Sequence, residues 1–222
     1  AGTLLRSVLE GEGIDTSHLR TVSVPTGRAF INVDSHGENE IVVIAGANAQ
    51  VGVEDKFVIP NSRVVLAQLE VPLETIEMAF TQARSNGAVT VLNPAPARDI
   101  PASLLSLANI VVPNETESVA IGGTKQLLQS GVATVVTTLG ADGASIDTAS
   151  STTHIAPYKV TPVDTVGAGD AFIGATCAEL SRGSSIEDAA RMGAIAGALA
   201  TTVKGAVPSL PTRQAVLAAQ KS

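Results

Sequence analysis

The 222-residue chain contains one cysteine, one tyrosine, four phenylalanines and no tryptophan. A single cysteine cannot close an internal disulfide, so neither a disulfide scaffold nor an oxidising compartment is indicated. With so few aromatics, the core must be filled by Val, Leu, Ile and Ala. Basic residues are also scarce, 14 against 21 acidic ones for a net charge of −7, and no basic tract occurs. Nucleic acid and anionic membrane surfaces are therefore not expected as partners. No apolar run approaches the roughly 20 residues that span a bilayer, and the first residues carry no signal-peptide pattern. The expected compartment is the cytoplasm. Disorder is excluded as well, because 45% of the residues are hydrophobic and the charge is modest.

Four short apolar runs, Val64–Leu69, Ala88–Leu92, Asn109–Val112 and Val132–Thr138, recur at intervals of roughly 21–25 residues. Each is rich in Val or Ile and too short for a stable helix, and so reads as a buried strand. Between the first two, Leu73, Ile76, Phe80 and Ala83 form one apolar helical face behind Pro72, which is expected at the first helical position, with Asn86-Gly87 as the stop. Strand–helix–strand repetition of this kind implies a parallel sheet covered on both faces. The first sixty residues differ. Leu4–Glu10 suggests a helix, and Arg28–Asp34 and Glu40–Ala45 flank Ser35-His36-Gly37-Glu38-Asn39 as a hairpin. After Thr161 the pattern is helical over about 168–181 and 186–203. The second of these helices is rich in small residues from Met192 to Ala198, which permits close packing against a sheet or a ligand.

In a parallel sheet, ligands bind beyond the carboxyl ends of the strands. The residues that follow the four runs are Glu70, Asn93-Pro94-Ala95-Pro96, Pro113-Asn114-Glu115-Thr116-Glu117 and Leu139-Gly140-Ala141-Asp142-Gly143. Acids, amides and a glycine-bearing loop would thus converge on one rim. The sharpest element is Asp164-Thr165-Val166-Gly167-Ala168-Gly169-Asp170-Ala171-Phe172. Two glycines directly before a helix allow backbone N–H groups to point together at an anion, and the helix N-terminus adds partial positive charge. Asp170 in the first turn could then take a proton from an attacking alcohol. No Gly-Lys-Ser/Thr follows, which excludes a Walker loop. Phe172 occupies the third-glycine position of a dinucleotide fingerprint, which excludes that reading too. On local sequence alone, a plain glycine turn with an Asp near the helix start explains the segment equally well.

The ensemble resembles the ribokinase family of sugar kinases. Asp164–Asp170 resembles that family's signature before its catalytic helix. Ala45-Gly46-Ala47-Asn48-Ala49, Gln68-Leu69-Glu70 with Pro72-Leu73-Glu74, Leu92-Asn93-Pro94-Ala95-Pro96-Ala97-Arg98, Pro113–Glu117, and Lys204-Gly205-Ala206 with Pro208-Ser209 extend the likeness over essentially the whole chain. The resemblance implies an α/β fold of three layers, α/β/α, with a mainly parallel central sheet. It also implies a single domain over residues 1–222 whose residues 25–46 supply part of a small β lid.

The same likeness implies ATP-dependent phosphorylation of the 5-hydroxyl of D-ribose. Asp170 would be the base, and Gly167, Ala168 and Gly169 the anion hole. Glu70 would contact the sugar. Asn114 and Glu117 would organise Mg²⁺, through water, and the triphosphate. Thr138, Leu139, Gly140, Ala141, Asp142 and Gly143 would form the nucleotide loop, with Gly169 and Ala194 near the nucleotide. Asp164, Val166, Ala200, Val203, Gly205 and Ser209 would enclose an activating K⁺. Members of the family commonly pair through their lids, so a homodimer is expected.

Several departures from the family pattern carry expectations of their own. The family's first core strand, with its sugar-binding Asp and Asn, part of the lid and a Gly-Gly-Lys-Gly segment have no counterpart in these residues. The stretch from Glu117 to Thr124 is shorter than the family's, with a smaller shortfall near Val24-Pro25. Ala194 stands where the family usually has a polar residue near the adenine. These features suggest that the sequence is the ordered part of a longer chain. The alternatives are a kinase of another sugar or a nucleoside, or a shortened protein that binds nucleotide without catalysis. Other residues read as structural. His18, His36 and His154 lack metal-ligand spacing, Cys177 reads as a small buried hydrophobe, and Glu74, Glu77 and Arg84 read as a solvated helix face.

Overall fold

The computed structural model describes residues 1–33, 39–52 and 58–221. They form two compact units, Ala1–Lys56 with Glu70–Thr75 and Phe57–Leu69 with Ile76–Ser222. The first unit opens with helix α1 (Gly2–Gly11), the helix expected over Leu4–Glu10. Arg6 braces it by donating to the carbonyl of Thr16 at 3.2 Å and to that of Leu19. Strands β1 (Arg28–Val33) and β2 (Asn39–Ile44) pair antiparallel, Arg28 opposite Ile44. This is the expected hairpin, although residues 34–38 of its turn lie outside the described residues. Phe30, Val42, Val43 and Ile44 are about half exposed. Gly46 holds the chain beyond β2 at φ +52, where an added Cβ would lie 2.5 Å from the Pro25 carbonyl oxygen.

The second unit is built on a six-stranded sheet whose order follows the sequence, β3-β4-β5-β6-β7-β8. Strands β3 (Val64–Ala67), β4 (Val89–Leu92), β5 (Ile110–Val111) and β6 (Thr134–Thr138) are parallel and lie within the four apolar runs. Strands β7 (Ala144–Asp147) and β8 (Thr152–Ile155) continue the sheet antiparallel. The sheet is therefore mixed, mainly parallel, and the fold is α/β.

Period-two alternation sends Val91, Ile110, Val112 and Val136 to one face and Leu92, Val111 and Val135 to the other. All seven are buried, so both faces are covered. On the first face, Phe172, Ile173 and Ala190 complete the core. They come from α6 (Ala168–Ser181) and α7 (Ile186–Ala200), reached after α2 (Leu73–Ser85), α3 (Ala102–Leu107), α4 (Glu115–Ala120) and α5 (Gly123–Gln129). Phe80 of α2, Leu104 of α3 and Leu127 of α5 are almost fully buried. Pro72 lies just before the first helical residue rather than at it, and Gly87, at φ +76, ends the α2 helix as expected.

The small residues of α7 serve its packing on α6. A Cβ on Gly193 would lie 2.3 Å from Thr176 Oγ1, and one on Gly197 3.0 Å from the Ala168 carbonyl oxygen. That contact holds α6, whose N-terminus carries Asp170, tightly against its neighbour. Two short helices close the chain, α8 (Ala206–Ser209) and α9 (Arg213–Ala219). Arg213 of α9 donates to both carboxylate oxygens of the buried Glu179 on α6, at 2.8 and 3.4 Å. The Arg213 hydrogen bonds hold the Glu179 carboxyl below the usual carboxylate range. Burial pushes the Cys177 thiol up to about 11, as befits a small apolar filler. Arg84 and Glu77 are more than a solvated face, since they bond Ser106 and Ser103 of α3 at 3.0 and 2.5 Å. Among the described residues, no helix is long and apolar enough to cross a membrane.

Candidate active site

The parallel strands end on a common rim, and the polar groups there are set by hydrogen bonds to neighbouring strands. The N–H of Asn93, just past β4, donates to the Ala67 carbonyl at 2.9 Å, and that of Leu69, past β3, to the Ala95 carbonyl at 2.9 Å. Asn93 is buried, and its Nδ2 donates to the Val112 carbonyl at 2.9 Å. Past β5, Asn114 caps α4 in a reciprocal box. Its Oδ1 accepts from the Glu117 N–H at 2.7 Å, while Glu117 Oε2 accepts from the Asn114 N–H at 2.9 Å. Both side chains are thereby held at the rim.

The chain enters α6 through Gly167, whose φ of +79 suits glycine. No side chain caps this helix. Among the described residues, the N–H groups of Gly169 and Asp170 have no acceptor, so two donors and the positive end of the helix dipole are left for a ligand. The Ala168 N–H closes the turn by donating to the Thr165 carbonyl at 3.2 Å.

A cleft of about 250 Å³ brings together Asn114, Glu117, Thr138, Gly169 and Asp170. An adjoining hollow of about 310 Å³ runs past Asp170 between the end of β3 and α6, lined by Leu66, Ala67 and Gly174. Five of the residues expected from the sequence therefore share one cavity. Gln68 and Asn93 line both hollows; Asn93 was expected at the rim without a role of its own, and Gln68 was not expected in the site. Their motif membership was the available signal.

The loop Leu139–Gly143 follows Thr138 as a tight 3₁₀ turn, with the Leu139 N–H bonded to the Gly143 carbonyl at 2.8 Å. His154 Nε2 lies 2.8 Å from the Asp142 carbonyl oxygen. Ala194 sits half-buried on α7 against the core and does not line the cleft. Glu70 belongs to the first unit.

The remaining expected residues form a second cluster against the Gly167 turn, whose Cβ position lies 3.3 Å from Ala206 Cα. Asp164 Oδ2 accepts from the Gly205 N–H at 2.9 Å and Oδ1 from the Val166 N–H at 3.0 Å. Those two donors, Gly205 before Val166, hold its carboxyl below the usual range and keep it ionised. The Val163 and Asp164 N–H groups both donate to the Thr201 carbonyl, at 2.7 and 3.0 Å. Ala200 and Ser209 are buried nearby in sequence, Val203 is exposed, and Ser209 Oγ donates to the Ala206 carbonyl at 2.7 Å.

This donor set, one ionised carboxylate with a hydroxyl and backbone carbonyls, is all oxygen and suits a hard cation. Around Glu117 the fit is of a different kind. Glu117 supplies one carboxylate beside the Asn114 side chain, and among the described residues no group of three or more His, Cys, Asp or Glu gathers.

A mixed sheet between helical layers, with a helix N-terminus open toward a carboxylate-lined cleft, defines an α/β protein suited to holding an anion beside an acid–base group. Residues 1–213 match the pfkB family carbohydrate kinase profile, and the chain belongs to that family, whose members transfer a phosphoryl group to a sugar hydroxyl. It is 41% identical over 221 residues to a ribokinase of Staphylococcus aureus, covering 91% of this chain and 73% of that protein. The crystal structure of a ribokinase from Thermotoga maritima superposes with a TM-score of 0.88 at 33% identity, covering 99% of this chain and 77% of the other. A ribokinase of Arabidopsis thaliana, described as complexed with ribose and ATP, gives 0.80 at 30% identity, covering 90% and 70%.

Proposed function

We propose that the chain phosphorylates the 5-hydroxyl of D-ribose with ATP, giving ribose 5-phosphate and ADP. The observation that carries this reading is the open first turn of α6, where the N–H groups of Gly169 and Asp170 have no acceptor among the described residues, in a cleft shared with Asn114, Glu117 and Thr138. Asp170 removes the hydroxyl proton as the sugar oxygen attacks the γ-phosphorus in line, and ADP leaves. The N–H groups of Gly169 and Asp170, with the turn Gly167–Ala168 behind them, meet the charge on the transferring group. Phosphoryl transfer depends mainly on such positioning and charge neutralisation.

Thr138 and the turn Leu139–Gly143 receive the nucleotide, and Glu70 contacts the sugar; Ala194, outside the cleft, could meet only a part of the nucleotide that extends beyond it. Mg²⁺ would be held through water by Glu117 and Asn114, neutralising charge on the phosphates. K⁺ would be held by Asp164, Ser209 and the carbonyls of Val166, Ala200, Val203 and Gly205, adding positive charge behind the turn. The hairpin of residues 25–46 serves as part of a lid, and its half-exposed apolar strands suit pairing of two copies, for which light scattering should report a dimer.

The test is ADP release by the purified protein with Mg²⁺ and K⁺ on a panel of D-ribose, 2-deoxy-D-ribose, fructose and a nucleoside. Ribose should give the highest kcat/KM, with the product phosphorylated at C5. Preference for another sugar or a nucleoside would overturn the substrate. Nucleotide binding with no sugar-dependent turnover would make the chain a binding protein only.

A further inference from the structure

We propose that Gln68 is a positioning residue for Asp170, set by an amide relay from Asn93 so that it donates to one carboxylate oxygen and leaves the other to take the substrate proton. The inference rests on the reading of Asp170 as the base. It begins at the Val112 carbonyl, which can only accept. Asn93 meets it through Nδ2 at 2.9 Å, and Asn93 is only 6% exposed, so its amide cannot turn without stranding a buried carbonyl.

With Nδ2 so engaged, Asn93 must present Oδ1 toward Gln68. An oxygen there accepts only from an N–H, so Gln68 must present Nε2, which lies 3.3 Å away. The second N–H of the same nitrogen then faces Asp170 Oδ1 at 3.5 Å. A flipped Gln68 would set its own oxygen against both an amide oxygen and a carboxylate. The network thus admits one orientation of both amides. The backbone around Gln68 is equally fixed, because Ala67 and Leu69 on either side are bonded to Asn93 and Ala95. Both side-chain distances are long for N–H···O bonds, as expected of a cleft still open to water.

The consequence is chemical. Oδ1 of Asp170 is occupied by a donor that has no proton to lose and cannot accept one from a sugar. Oδ2 is the oxygen available to the attacking hydroxyl, and the plane of the carboxylate is held at the angle that Gln68 dictates. Gln68 works through Asp170, so it should govern the chemical step and not substrate affinity.

The experiment compares Gln68→Leu, Gln68→Glu and Asp170→Asn in steady-state kinetics on the sugar that the substrate panel selects. Gln68 has an exposed side chain, so its variants should fold, which melting curves would check. Gln68→Leu should lower kcat roughly tenfold while leaving KM for sugar and for ATP within about twofold. Gln68→Glu should lower kcat further, because a carboxylate replaces the donor. In a double-mutant cycle, Asn93→Leu added to Gln68→Leu should cost little more than Gln68→Leu alone, since one relay is being broken twice.

A kcat for Gln68→Leu within about twofold of wild type would overturn the proposal. So would a rise in sugar KM alone, or additive losses in the cycle. If Asp170→Asn abolishes turnover while Gln68→Leu is unaffected, the role of Gln68 fails and that of Asp170 stands. If Asp170→Asn keeps wild-type turnover, or no sugar is phosphorylated, both fail together.

Discussion

Helices α4 and α6 both begin at the same cleft, and their first turns are treated in opposite ways. The start of α4 is closed by its own side chains, with Asn114 and Glu117 each accepting from the other's N–H. The start of α6 has a left-handed glycine, no side-chain cap, and two N–H groups without acceptors among the described residues. A capped turn is stable by itself and needs no ligand. An uncapped one leaves donors for water or a ligand's acceptor to satisfy, and the helix dipole favours an anion there. The difference teaches that the closed end fixes Asn114 and Glu117 in place, and that the open end keeps free donors, which in the proposed function meet the charge of the transferring group.

The largest effect that would sharpen this contrast is at the open end. Asp170→Asn should lower kcat by about 10²–10⁴-fold, while calorimetry finds sugar and ATP bound as before. Next comes the turn itself. Gly167→Ala places a Cβ at φ +79 and 3.3 Å from Ala206 Cα. It should cost about 1–2 kcal/mol in backbone strain, lower Tm by a few degrees in thermal melts, and reduce kcat. At the closed end, Asn114→Ala should cost about 1 kcal/mol and raise KM for ATP with little change in kcat. If Asn114→Ala and Gly167→Ala affect kcat alike, the two ends do not divide the work as described.

The smallest effect concerns the strap behind the turn. Asp164 has a lowered folded-state pKa because Gly205 and Val166 donate to it. A depressed carboxylate pKa contributes stability above the usual carboxylate range and loses it as pH falls through the lowered value. The Tm difference between wild type and Asp164→Asn should therefore be present at neutral pH and vanish in strong acid. Replacing K⁺ by Na⁺ should lower kcat in the wild type and matter less in Asp164→Asn. A rate indifferent to the cation would remove the proposed ion from the strap.

What could be read from the sequence divides along physical lines. Strands β3 to β6 are apolar on both faces, and such runs stand out in composition. The start of α6 was legible because glycines and an acid before a helix have a local cause. Strands β7 and β8 were not foreseen. Each has four residues, with Ser145, Asp147, Thr152 and His154 among them, and two-residue alternation over so short a span resembles a polar loop.

Within the site, Asn114 and Glu117 could be anticipated because the carboxyl ends of parallel strands share one rim, whereas Thr138, Gly169 and Asp170 were joined to them by the family resemblance. The partnership of Gln68, Asn93 and Asp170 could not be anticipated. Its members are 25 and 77 residues apart along the chain, and only the parallel register of β3 and β4 and the seating of α6 bring them together. Small residues in α7 were legible as a packing surface, but the sequence left open whether a sheet or a ligand would meet it. The partner is α6.

The most direct measurement of the division between open and closed ends is the single-turnover rate of phosphoryl transfer, by rapid quench at saturating sugar and ATP, for wild type, Asp170→Asn and Asn114→Ala. Saturation removes binding from the comparison and leaves the chemical step. Asp170→Asn should be slower by about 10²–10⁴-fold, with Asn114→Ala close to wild type. A wild-type rate in Asp170→Asn, or an equal loss in Asn114→Ala, would contradict the assignment of the chemistry to the open end of α6.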